Sequence, residues 1–221
     1  MIKNELRNDG AVLRYIAVVA MFIDHLALCM YDFIPSGLYL AGRIVGRISY
    51  PIFAYCLAAG CRYTHDVKRY AGRIAIAAVI SEIPFNLMVG RLIFYPQAQN
   101  VMWTLLIGLV MLRLVGLVRP RAVVSREQTG ILGQAGSVCA DRIRWLLTGL
   151  GKLLIIALAC GLATLLHTDY EWEGILIIAG LSLMPENMYD IPRGDYPRYF
   201  FYAFYPAHML LLVLLREAMG S

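Results

Sequence analysis

Asp24 and His25 stand side by side in the run AMFIDHLALCMY, and His208 stands in FYAFYPAHMLLL. An imidazole with its ordinary pKa of about 6.5 can take and return a proton at neutral pH, so either histidine is a candidate general base. Adjacent residues on a helix point about 100° apart, so Asp24 and His25 cannot orient one another, and each needs a partner on another segment. Asp24 suits an arginine as counter-ion. Tyr202, Tyr205 and His208 follow i, i+3 spacing and line one side of a helix. A purely structural role, as hydrogen-bonded interior histidines, stays open for both rings.

Arg43 and Arg47, in AGRIVGRISYPIF, are four apart and share a helix face, with Gly42 and Gly46 at the same spacing to let a neighbouring helix approach. Two arginines among apolar residues need anions. Asp24 and Glu82 could hold them, or an anionic ligand could: a phosphate, or the oxyanion that develops at a carbonyl under attack. Glu82 and Asn86 share a face in VISEIPFNL, where Pro84 loosens the backbone, and Asn100 and Thr104 repeat the spacing at the start of the next run. Asp169, Tyr170, Glu171 and Glu173 read as a solvated acidic connection. The five cysteines are scattered singly, with neither CxxC spacing nor a disulfide framework, so no metal is expected.

These residues are informative because of the elements that must carry them. Of 221 residues, 60% are hydrophobic and 16% charged, against about half and about a quarter in an ordinary soluble domain; mean hydropathy is +0.64. A membrane-spanning helix needs about 20 apolar residues. Runs meeting or approaching that length lie at 11–31, 38–61, 70–89, 101–118, 145–166, 172–184 and 199–216, the sixth being short for a crossing. The fold class expected is an all-α integral membrane bundle of about seven transmembrane helices in a single polytopic domain, 1–221. A charged side chain at the centre of an inserted helix costs about 2.5–3.5 kcal/mol, so such residues face a partner or a wet cavity. The first run is read as a retained helix rather than a cleaved signal.

Lys and Arg concentrate in the N-terminal tail, in the connection after the second run (Arg62, Lys68, Arg69, Arg73) and in the polar stretch 119–144, while the alternate connections are poor in them. The positive-inside rule then puts the N-terminus and the 119–144 loop in the cytoplasm, in a cytoplasmic (inner) membrane protein. That topology also accounts for the net charge of +5, and no helix–turn–helix or aromatic-basic pattern points to nucleic acid. On this topology Asp24, His25, Arg43, Arg47, Glu82, Asn86 and Asn100 fall in the outer half of the bilayer, with His208 near its middle. One polar cavity opening outward would collect them.

The motifs IDH in the first run, GRxxxRISYPIFAYCLAAG in the second, SEIPFN in the third, QN before the fourth, DYxxxG before the sixth and YPxH in the last together resemble the TraX family of integral membrane proteins, from about Ile16 to Leu212. That family takes its name from a conjugation-plasmid protein that acetylates the N-terminus of pilin. The resemblance implies a membrane acyltransferase that takes acetyl from acetyl-CoA to an amine or hydroxyl of a membrane or cell-surface acceptor, a pilin-like peptide or a surface glycan or lipid. His25 or His208 would be the base. Arg43 and Arg47 would stabilise the oxyanion or hold phosphates, with Asp24 and Glu82 fixing the arginines. A transporter with an intramembrane proton relay, or a non-catalytic assembly factor for a surface structure, would use similar residues.

Overall fold

The computed structural model describes residues 2–118, 131–189 and 199–220. Those residues form eight α-helices: α1 (Ile2–Cys29), α2 (Ser36–Gly46), α3 (Ser49–Tyr63), α4 (Val67–Val89), α5 (Val101–Leu117), α6 (Ile131–Leu165), α7 (Glu171–Ser182) and α8 (Phe200–Gly220), with a 3-10 turn at Glu186–Tyr189. Five segments are long and apolar enough to cross a bilayer: Gly10–Cys29, Ser36–Tyr63, Val67–Val89, Arg142–Leu165 and Phe200–Gly220. α5 and α7 are shorter, at 17 and 12 residues. The chain is an all-helical membrane bundle, as expected.

The second predicted span is two helices, and Pro51 gives the reason. A proline has no N–H, so the Arg47 carbonyl finds no donor four residues on. The helix tightens at Arg47 and Ile48, whose N–H groups reach the carbonyls of Ile44 and Val45 at 3.2 Å. Ser49 donates its hydroxyl to the Gly46 carbonyl at 2.7 Å. α3 then begins at Ser49 with Pro51 in its first turn, where a missing N–H leaves nothing unsatisfied. The glycine pair does what its spacing suggests. A Cβ on Gly42 would stand 2.6 Å from the Ala27 Cβ, and one on Gly46 would collide with Asp24.

The polar stretch 119–144 is also not wholly a loop. Residues 119–130 lie outside the described residues, but α6 is already helical from Ile131 and carries Arg142 and Arg144. The Ser, Gly and Gln content that suggests a loop is outweighed by continuity with the apolar run that follows.

Two apolar cores hold the helices together. One joins α3, α5, α6 and α7 around Tyr50, Leu109, Ala163, Ile175 and Ile178. The other joins α1, α4 and α8 around Met21, Phe85, Tyr205, Met209 and Leu212. Phe53, Val101 and Met102 pack on both. Tyr15 of α1 lies 5.9 Å from Phe200 at the start of α8, ring to ring. At the other end Arg216 donates to the Leu87 and Met88 carbonyls that close α4, at 3.0 and 3.1 Å. α8 therefore runs parallel to α1 and α4, and its buried guanidinium caps the last turn of α4.

Candidate functional site

Five of the predicted residues come together from three elements, α1, α2 and α8. Asp24 on α1 and Arg43 on α2 form an ion pair at 2.7 Å, with 15% and 20% of their side chains open. One residue along, His25 turns to α8. Its Nδ1 lies 2.7 Å from His208 Nε2. The two rings are within 3° of parallel and 4.9 Å apart, as expected for imidazoles joined edge to edge in one plane. Both are buried, His25 5% and His208 3% exposed. His208 Nδ1 is 2.8 Å from the Phe204 carbonyl one turn back. Tyr205 is buried beside them, its ring 5.9 Å from each imidazole. Asp24 and His25 thus find separate partners, as their angular separation requires.

Arg47 caps α2 and lies 5.3 Å over the ring of Tyr170, which stacks on Tyr50 at 3.9 Å. Here the structure adds residues that the sequence reading assigned to a solvated loop. Gln99 donates its N–H to the His167 carbonyl at 2.8 Å, and Thr168 bonds back to Ala163, clasping the 166–170 connection against the one before α5. His167 and Glu171 take left-handed backbone angles, φ 50° and 40°, a conformation that non-glycine residues adopt under constraint. Between them the chain presents Asp169 and Tyr170 to the arginines. Gly174 completes the pattern DYxxxG, because a Cβ there would stand 2.5 Å from the Tyr50 hydroxyl and 2.7 Å from Thr104 Cγ2.

Asp169 keeps open surface, with Asp24, Arg43 and Arg47 near enough to act on its carboxyl. Burial raises its pKa from 3.8 to about 6; the Asp24 carboxylate adds to the rise, and Arg47 and Arg43 oppose it. Asp24 Oδ1, the Tyr50 hydroxyl and Thr104 Oγ1 are buried without a hydrogen-bond partner among the described residues. Unsatisfied polar atoms at this depth are where a polar ligand or water would bind.

Glu82 does not hold the arginines. Its Oε2 accepts from Asn100 Nδ2 and, at 3.0 Å, from Trp103 Nε1. Asn100 also donates to the Ala78 carbonyl at 2.9 Å and caps α5 by accepting the Met102 N–H at 3.1 Å, so its polar groups join helices. Asn86 donates to the Ile93 carbonyl at 3.2 Å and ties the connection after α4 in place. Glu82 still lies within electrostatic reach of Tyr205, as does Asp169.

A large cavity exists, but at the opposite end of the bundle from the one expected. Its volume is about 640 Å³. His65, Asp66, Arg69 and Arg73 rim it at the α3–α4 end; Val18, Met21, Phe53, Leu57 and Leu105 wall it; Tyr205 lies at its buried end. Of the predicted site residues only Tyr205 lines it. Asp24 and Arg43 neutralise one another across α1 and α2 and draw those helices together. The open volume forms where apolar side chains meet a basic rim.

A helical membrane bundle with an interior Asp–Arg pair and an imidazole pair defines a class, and comparison with known proteins narrows it. The family described as TraX protein matches residues 9–191. The chain belongs to the TraX family. It is also similar to the "Probable fimbrial assembly protein FimC, serogroup H1" of Dichelobacter nodosus, 27% identical over 233 residues, covering 90% of this chain and 92% of that protein. No solved structure matches. Among the described residues no group of His, Cys, Asp and Glu could hold a metal ion.

Proposed function

We propose that this chain is a membrane-embedded acyltransferase that moves acetyl from acetyl-CoA to an amine or hydroxyl of a membrane or cell-surface acceptor. The observation that carries the reading is the short path from the cavity to the histidines. Tyr205 lines the cavity and lies one ring away from both imidazoles, and Met21, another lining residue, is one turn of α1 before His25. The cavity fits the donor's chemistry. Arg69, Arg73 and Arg14 offer cations to phosphates, and the apolar walls suit a pantetheine arm and a methyl group.

In the reaction the acceptor nitrogen or oxygen attacks the thioester carbonyl, a histidine takes its proton, and Arg43 and Arg47 stabilise the oxyanion. The C–S bond then breaks, and the CoA sulfur leaves with the proton that the histidine returns. The charge bias of the connections supports a cytoplasmic N-terminus in an inner membrane, which puts the cavity mouth on the side where acyl-CoA is available. The relative's name favours a fimbrial subunit as acceptor. The same name favours a second reading, an assembly factor that performs no chemistry.

Transfer of labelled acetyl from acetyl-CoA, in membranes carrying the wild type or His25→Ala, separates the two. Transfer or acetyl-CoA hydrolysis by the wild type, lost in His25→Ala, is expected. A wild type that performs neither, with fimbrial subunits supplied, leaves the assembly reading.

A further inference from the structure

The two histidines are chemically unequal, and the hydrogen-bond chain says how. A carbonyl oxygen only accepts, so the proton between His208 and the Phe204 carbonyl belongs to His208 Nδ1. A neutral His208 therefore has a bare Nε2, which accepts. The 2.7 Å contact to that Nε2 then requires the proton on His25 Nδ1. A neutral His25 is left with its lone pair on Nε2, the nitrogen that the contact to His208 does not use.

We propose that His25 is the base, acting through Nε2, and that His208 is its positioning residue, fixing His25's tautomer and ring plane through a chain that ends on the Phe204 carbonyl. This assignment rests on the acyltransferase reading and deepens it. His25 Nε2 takes the acceptor's proton as the acceptor bonds to the acyl carbon, and returns it to the CoA sulfur as the C–S bond breaks, leaving His25 neutral and a free thiol. While His25 carries that proton, its Nδ1–H bond to His208 becomes charge-assisted and stronger. The geometry supports the division of labour: His208 has both ring nitrogens engaged, and its contact to His25 leaves the Nε2 of that ring unused.

Nitrogen-15 spectra of histidine-labelled protein in detergent read the tautomers without any assay of activity. Both His25 and His208 are expected to carry the proton on Nδ1, and His208→Ala should release His25 into a mixture. In labelled-acetyl transfer, His25→Ala should lose about 10²–10⁴-fold. His208→Ala should lose about 10–100-fold in kcat with the donor KM unchanged, taking the effect of partners that orient metal-bound histidines as the guide. His208→Gln keeps an acceptor near the position of Nε2 and should recover most of that loss; His25→Gln should recover none. A proton on His25 Nε2 in an active wild type overturns the assignment alone. So does His25→Gln outperforming His208→Gln. A wild type with the expected tautomers and no acetyl transfer sinks the acyltransferase reading and His25's role as base with it.

Discussion

The Asp24–Arg43 pair is the plainest charge relation in the molecule, and it tests how such pairs behave among apolar helices. Removing one partner of a buried pair strands the other, at about 3–5 kcal/mol, whereas removing both is far milder. With a fifth of the Arg43 side chain open, the low end of that range applies. Asp24→Ala should lower thermal stability in detergent markedly, and Asp24→Ala with Arg43→Gln should restore most of it; additive losses in a double-mutant cycle would refute the coupling. Asp169 makes a signed prediction about pH. Its folded pKa of about 6 exceeds the ordinary 3.8. Its contribution to stability is therefore fully present below 3.8 and lost as pH rises through about 6. Asp169→Asn should raise the melting temperature at pH 7.5 and leave it unchanged at pH 3.5; a gain of equal size at both would disprove the shift. Asp24, His25, Arg43 and His208 were legible in the sequence because a polar residue inside an apolar run has few explanations. Asp169 and Tyr170 were not, because beside Glu171 and Glu173 they look like any solvated connection. Only the clasp from Gln99 sets them beside the arginines, and a contact between residues so distant in the chain leaves no local signature. Glu82 illustrates the converse: its charge was legible, but its partners Asn100 and Trp103 were not.

At the scale of elements, hydrophobic run length located the five described segments long and apolar enough to cross, because hydrocarbon thickness is a constraint each segment satisfies alone. The errors came where neighbours or single residues override the run. Pro51 divides the second span at Arg47 and Ile48, and the polar stretch becomes helical from Ile131. The division matters to the site, since it lets Arg47 leave the axis of α2 and lie over Tyr170. α1 and α2 touch through Gly46, where Asp24 occupies the space a side chain would fill. Gly46→Ala should therefore destabilise by about 1–3 kcal/mol, the range for overpacking a close contact. Gly149→Ala, on a face of α6 with nothing within 4 Å, should be neutral or stabilise by up to about 1 kcal/mol through helix propensity. Thermal melts of the two variants under one set of conditions decide it; equal losses would show that helix contact is not what Gly46 provides.

For the whole molecule, the cavity gives orientation a direct readout. Cys56 lines it. In a variant retaining only this cysteine, a membrane-impermeant maleimide should label Cys56 in inverted vesicles and not in intact cells, and free CoA should slow the labelling. Labelling from outside would reverse the topology, and labelling indifferent to CoA would remove the donor from the cavity. The lengths of the helices carry one more consequence. α7, with 12 residues, is about 18 Å long; Trp172 and Leu176 on it, and Leu183 just past its end, are exposed. A hydrocarbon layer of about 30 Å meets a much shorter apolar wall on that side than along α6. The lipid there must thin to meet it, at a fraction of a kcal/mol for each ångström of difference. The protein should therefore be more stable and more active in vesicles of fourteen-carbon than of twenty-two-carbon chains. Through that one short helix, a cell's choice of fatty acids would set how firmly the bundle holds together.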